Sequence, residues 1–169
     1  MKPYGVTGWK NSGKTGLVVR LVAHFTAAGL LVSTVKHAHH DTDIDQPGRD
    51  SHRHRLAGAQ QVLVASPRRW ALMTELRAAP EPPLADLLTH LDACDLVLIE
   101  GYKSAAHPKI EVQRVETAMP LMAPDNPTIR AVASNAANTT ANAAAPGLPF
   151  FHLDDTAAIA AFIRHEVGL

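Results

Sequence analysis

The run Gly8-Trp9-Lys10-Asn11-Ser12-Gly13-Lys14-Thr15 sets two glycines, a lysine and a hydroxyl at the spacing G-x-x-x-x-G-K-[ST]. A phosphoryl group needs several donors converging on it. A glycine-rich turn entering a helix provides them, because successive backbone N–H groups are exposed at the positive end of the helix dipole. Gly8 and Gly13 give the turn its freedom, Lys14 can extend to the β and γ phosphates, and the Thr15 hydroxyl can hold a Mg²⁺ bridging them. The nucleotide-contacting set is therefore Gly8 through Thr15 with the adjoining Gly16. Chance produces this pattern on the order of once in a hundred chains of such length or fewer. Here it follows an apolar β-type run and precedes the best amphipathic helical stretch of the chain, which is the context that the motif requires.

A second acid-bearing feature is Asp95-Leu96-Val97-Leu98-Ile99-Glu100-Gly101, an apolar strand ending in a carboxylate. A nucleotide-binding protein of this type places its Mg²⁺-directed acid there, so Glu100 is the candidate metal-directed and catalytic partner of Thr15 and Lys14. The bland alternative is a carboxylate paired with Lys103 or Lys109. A third feature starts at Lys36 and His37, after the second strand, and continues through His39, His40, Asp41, Asp43 and Asp45. Five histidines lie between His37 and His54, which invites a zinc site, but adjacent His39 and His40 point apart in an extended chain. Lys36, His37 and Asp41 fit phosphate, Mg²⁺ or an acidic substrate group better. Past Pro47-Gly48, a short helix from Asp50 ending at Gly58 carries Arg53 and Arg55, and with Arg49 these could grip the phosphates of a second ligand or form a solvated basic face.

These groups must be positioned by elements legible as apolar patterns. Strands are expected at Pro3 to Thr7, Leu31 to Lys36, Gln61 to Ala65, Trp70 to Thr74, Leu96 to Glu100, Ile110 to Val115, Ile129 to Ser134 and Phe150 to Leu153. From Thr15 to Ala28 the residues Leu17, Val18, Leu21, Val22, Phe25 and Ala28 recur at three-to-four spacing, with Gly29 as the stop. Leu84 to Leu91 and Thr156 to Val167 read as further helices, the latter opened by Asp154 and Asp155. Apolar strands without strict alternation, interleaved with helices, indicate buried parallel strands. The expectation is a single α/β domain over 1–169, a three-layer P-loop NTPase fold with a mostly parallel sheet and some antiparallel strands.

Composition narrows the class. The chain has 169 residues, 46% of them hydrophobic, with sixteen Lys and Arg against sixteen Asp and Glu. That is enough for one core, and no basic surplus points to nucleic acid or an anionic membrane. The single cysteine, Cys94, sits in an apolar run and fits a packing role in a reducing compartment. No stretch approaches the roughly 18 apolar residues of a membrane span, so the expected location is cytoplasmic.

The ordered blocks Asn11 to Thr15, Val35 to Asp41, Asp45 to Ser51, Ala57-Gly58-Ala59, Leu98 to Lys103 and Pro108 to Glu111, with Phe151 to Asp155 after them, resemble the molybdopterin-guanine dinucleotide biosynthesis adapter proteins, the MobB family. The resemblance covers nearly the whole chain. It implies a GTP- and Mg²⁺-binding protein with low intrinsic GTPase activity, a homodimer that assists the guanylyltransferase attaching GMP to molybdopterin, with molybdopterin or its guanine dinucleotide as a further possible ligand. Two departures stand out. The Asn-Lys-x-Asp motif that reads guanine in Ras-like GTPases is absent, Asn135 after Ser134 being the nearest positional candidate. Gly16 also stands where a second hydroxyl residue is common. A self-sufficient small-molecule kinase and a histidine-rich metal chaperone remain open as alternatives.

Overall fold

The computed structural model describes residues 1–38, 43–136 and 145–169. The chain divides into two compact units, one formed by Met1–His37 with Leu88–Leu169 and the other by Ala38–Leu87.

In the first unit, β1 (Lys2–Thr7), β2 (Val32–Lys36), β5 (Leu96–Glu100), β6 (Lys109–Gln113), β7 (Ile129–Ser134) and β8 (Phe150–His152) make one sheet in the order β2-β5-β1-β6-β7-β8. Every pairing in it is parallel. Successive residues of a strand face opposite sides, and here both sides are buried. Tyr4, Val6, Leu96, Leu98, Ile110, Val112, Ala131 and Ala133 pack with the helices α1 (Lys14–Ala27) and α4 (Thr156–Val167). On the other face Ile129 and Val132 join Leu121, Ala123 and Ala145. The result is the α/β, mostly parallel architecture expected from the apolar runs.

Local signals explain the helix ends. Gly29 takes φ +85° and ends α1, with Leu30 N–H donating to the Phe25 carbonyl and Gly29 N–H to Thr26, the paired bonds of a Schellman terminus. Asp155 caps α4 by accepting from Ala158 N at 3.0 Å. Arg20, in the middle of α1, fastens that helix to the start of α4, donating to Thr156 Oγ1 at 2.9 Å and to the Leu153 carbonyl at 2.7 Å. Strand β6 stops at Gln113, short of the expected Val115, because Asn135 Oδ1 captures Val115 N–H at 3.0 Å and the chain enters a 3-10 turn over Val115–Thr117. Cys94 is only half-buried.

The second unit holds α2 (Asp50–Leu56) and an antiparallel pair, β3 (Gln61–Ala65) with β4 (Trp70–Thr74). Helix α3 (Leu84–Leu88) follows and ends earlier than Leu91. Arg55 ties this unit together: it meets Glu75 Oε1 at 2.6 Å, Asp43 Oδ1 at 2.7 Å and Asp45 Oδ2 at 3.2 Å. Those carboxylates occupy its donors, so Arg55 holds the segment in place instead of facing a ligand.

The amino-terminal end of the sheet carries an unusual group. A Cβ at Gly5 would lie 2.6 Å from His107 Nε2, and neither ring nitrogen of His107 has a hydrogen-bond partner among the described residues. Burial, with Lys109 acting in the same direction, pushes His107 from 6.5 down to about 4. The unfolded imidazole therefore accepts a proton that the folded one refuses. Stability is expected to fall as pH drops from about 6.5 towards about 4, by roughly 1–2 kcal/mol once solvent screening of the half-buried ring is allowed for. Urea unfolding at pH 7 and 4.5 should show this loss in the parent and a smaller one in His107→Asn; identical losses would exclude His107 as the cause.

Candidate functional site

The carboxyl ends of β1, β2, β5, β6 and β7 lie along one edge of the sheet, and strand order turns about β1. Ligands of open parallel sheets bind in that location. Residues 8–13 connect β1 to α1. Gly8 adopts φ +147°, and a Cβ there would lie 2.3 Å from the Val112 carbonyl oxygen and 2.6 Å from Ser12 Oγ. Any side chain at Gly8 would push the loop off the neighbouring strand. Gly13 adopts φ +100° as the N-cap of α1, and no side chain caps the helix. The first-turn amides are thus not taken up by a protein cap, and Ser12 Oγ and Thr7 Oγ1 are buried without a hydrogen-bond partner among the described residues. Polar atoms left in this state fit a bound anion. At Gly16 a Cβ would meet only Arg20 Nη1 at 3.7 Å, so the small residue is not forced by packing.

Lys14 Nζ donates to the Gly8 carbonyl at 3.0 Å and to the Trp9 carbonyl at 2.6 Å, which holds it over the loop. Burial lowers the Lys14 ammonium from its ordinary value, Glu100 opposes this, and Lys103 and Lys36 add to it. A phosphate would relieve that crowding of cations. Thr15 Oγ1 donates to Glu100 Oε1 at 2.8 Å, and Lys36 Nζ stands 3.6 Å from the same oxygen. Neither Lys103 nor Lys109 pairs with Glu100, as the bland reading would require. Lys103 Nζ sits 4.3 Å above the Trp9 ring, and buried Lys109 donates to Thr128 Oγ1 and the Ala105 carbonyl. An octahedral Mg²⁺ with ligands at about 2.0–2.1 Å has adjacent oxygens about 2.9 Å apart, so the Thr15–Glu100 spacing suits two neighbouring positions of such an ion.

His37 joins this corner: its N–H donates to the Glu100 carbonyl at 2.9 Å, and its ring stacks on Tyr102 with centroids 4.5 Å apart. Asp41, with His39 and His40, lies outside the described residues. No group of three or more metal-ligating side chains occurs among the described residues. Arg53 belongs to the second unit, where it is exposed and faces Asp50 at 3.8 Å, a surface pair of small energetic consequence.

Beside the loop is a cavity of about 560 Å³, lined by Trp9, Lys10 and Asn11 and by Arg114, Glu116 and Met119. Trp9 is anchored there, its indole N–H donating to the Pro120 carbonyl at 2.7 Å. Asn135 Nδ2 donates to both Glu116 oxygens, at 2.9 and 3.0 Å. Asn135 thus serves the segment after β6. Lys103, Arg114 and Glu116 are the site-edge residues that motif reading passed over. The position of Arg114 and Glu116 just beyond the carboxyl end of β6 was the available signal.

The family model described as Molybdopterin guanine dinucleotide synthesis protein B, MobB, matches residues 4–135. A molybdopterin-guanine dinucleotide biosynthesis adapter protein of Haemophilus influenzae is 41% identical over 134 residues, 78% of this chain and 73% of that protein. One from Escherichia coli is 44% identical over 108 residues, which span 63% of this chain and 62% of that protein's length. The crystal structure of Bacillus subtilis MobB superposes with a TM-score of 0.73 at 26% identity, covering 99% of this chain and 98% of that one. A MobB homologue from Bacillus stearothermophilus gives 0.70 at 28% identity, with 99% of each chain covered. A match to the family model over most of the chain, together with relatives above 40% identity and solved structures sharing the whole fold, shows that this chain belongs to the MobB family.

Proposed function

We propose that the chain is a nucleotide-binding adapter: it holds GTP with Mg²⁺ at the Gly8–Thr15 loop and assists the guanylyltransferase that attaches GMP to molybdopterin. The observation carrying this reading is the convergence of Lys14, Thr15 and Glu100 on the mouth of a loop with uncapped first-turn amides, in a chain of this family. The loop amides and the Lys14 ammonium bind the triphosphate. Glu100 fixes the Thr15 hydroxyl and, with it, would hold the divalent ion, whose chemistry is to neutralise charge between the β and γ phosphates.

Turnover is expected to be slow. Among the described residues around Glu100, the neighbours are lysines, a histidine ring stacked on Tyr102, and a threonine. Without an arginine supplied in the right place, hydrolysis in this class runs up to ~10⁵-fold below its stimulated rate. The chain's own Arg114 packs its guanidinium on Gly13 of the loop, where a Cβ would lie 3.0 Å from Arg114 Nε, and a partner or a second copy of the chain, as in a homodimer, would be the other source of such a group.

Calorimetric titration of the protein with GTP and ATP, with and without Mg²⁺, tests the binding half. Mg²⁺-dependent GTP binding is expected. Addition of the protein to a reconstituted guanylyltransferase reaction tests the adapter half, with faster dinucleotide formation as the expected result. Stoichiometric transfer of the γ-phosphoryl group to a small acceptor without a partner protein would instead establish a kinase.

A further inference from the structure

Lys36 stands in a position that a metal-bearing ligand would contest. It is paired in register with Glu100 across the parallel contact of β2 with β5. Its Nζ lies 3.6 Å from Glu100 Oε1, the same oxygen that accepts the Thr15 hydroxyl at 2.8 Å. Oxygen ligands hold Mg²⁺ at about 2.0–2.1 Å, so an ion on this oxygen would leave its charge less than about 6 Å from the Lys36 ammonium. One carboxylate oxygen cannot serve both cations at full strength. One of them must yield.

The surroundings decide which group moves. Lys14 is tied to the Gly8 and Trp9 carbonyls, and Lys103 lies over the Trp9 ring, whereas the Lys36 side chain is 61% exposed against 12% for Glu100. Its flexible stem can carry the ammonium away at little cost, since an ion pair this exposed is weak. The charge balance decides when. Lys14 feels Lys36 and Lys103 as like charges and Glu100 as the opposing one, so a bare divalent ion would enter a corner that is already cationic. A triphosphate reverses that sign, and its terminal oxygens offer the displaced ammonium new acceptors.

We propose that Lys36 is a specificity-determining residue: it neutralises Glu100 in the empty site and moves to the terminal phosphate of a triphosphate that arrives with its metal. The site then takes a divalent ion only together with the triphosphate, and it prefers triphosphate to diphosphate. A diphosphate lacks the terminal group and leaves Lys36 on Glu100. This rests on the reading of Gly8–Thr15 as a triphosphate loop with Thr15 and Glu100 as its metal-directed pair.

Mn²⁺ is the probe, a cation that shares the octahedral oxygen preference of Mg²⁺ and whose free fraction is read by paramagnetic resonance. It is titrated into the parent, Lys36→Gln, Lys36→Arg and the double variant Lys36→Gln with Glu100→Gln. Each is measured alone, with GDP and with a non-hydrolysable GTP analogue, and thermal unfolding checks that the variants are folded. Without nucleotide, Lys36→Gln should bind Mn²⁺ roughly 10-fold more tightly than the parent, the scale of the repulsion between a single and a double charge at this separation under water-like screening. The double variant should lose that gain. A role confined to packing would not produce a gain at all. With Mn²⁺ present, affinity for the GTP analogue should fall roughly 10- to 100-fold in Lys36→Gln, the effect of removing one charge-assisted contact. GDP affinity should change little, and Lys36→Arg should stay close to the parent. If the parent binds the GTP analogue, equal nucleotide-free Mn²⁺ binding in parent and folded Lys36→Gln would overturn this inference and leave the loop reading intact, as would equal losses for the analogue and GDP. A parent that binds no triphosphate would overturn the loop reading and this inference with it.

Discussion

Replacing Lys14 by alanine should lower affinity for nucleoside triphosphate by about 100-fold or more while leaving the fold in place. The Lys14 ammonium makes two part-buried hydrogen bonds, to the Gly8 and Trp9 carbonyls at 3.0 and 2.6 Å. They close the loop on itself and tie it to no other strand or helix, so their loss leaves the sheet and helices in place. In the bound state the same ammonium would exchange these neutral partners for phosphate oxygens, and charge-assisted bonds contribute about 1.5–3 kcal/mol each. Two such bonds correspond to roughly 100- to 10,000-fold in affinity. Burial disfavours the charged form of Lys14, as do Lys103 and Lys36 nearby, so an incoming polyanion meets a cluster of positive charge with only Glu100 against it. Titration of GTP into folded Lys14→Ala checks this. An unchanged dissociation constant would show that the loop does not hold the triphosphate.

The largest loss of stability is expected at Glu111. This carboxylate is fully buried, and its oxygens accept from Met122 N at 2.9 and 3.0 Å and from Ala123 N at 2.8 Å. Burial pushes its carboxyl above the ordinary carboxylate range, whereas the Met122 and Ala123 amides, with Lys103, pull it back. Alanine in its place would strand two buried amides, at about 1–3 kcal/mol each. Glu111→Ala should therefore be destabilised by about 3–5 kcal/mol in urea or thermal unfolding. The damage should reach the nucleotide side, because the Pro120 carbonyl that anchors Trp9 lies in the segment Glu111 organises. A loss below about 1 kcal/mol would mean that water or another acceptor satisfies those amides.

Much of this protein is legible in its residues because the relevant physics is local. The loop could be read from Gly8 to Thr15 since strand, turn and helix follow one another without a gap, and the two glycines stand where the backbone takes φ +147° and +100°. Glu100 could be placed because a carboxylate ending an apolar strand has one direction to face. Helix α1 announced itself by the buried stripe Leu17, Val18, Leu21 and Phe25, and α4 by its Asp155 cap.

Tertiary structure alone decided the rest. That β1 lies between β5 and β6 depends on how crossover connections return to the sheet, which leaves no mark on short-range periodicity. Arg55 looked like a ligand-gripping cation until Asp43, Asp45 and Glu75 were brought around it from 12, 10 and 20 positions away. Asn135 bonds Glu116 across 19 positions, and Lys103 stands over Trp9. Side-chain charge and hydrogen-bonding capacity are properties of a residue and can be read from sequence. Which partner saturates them is settled only when distant strands come into register.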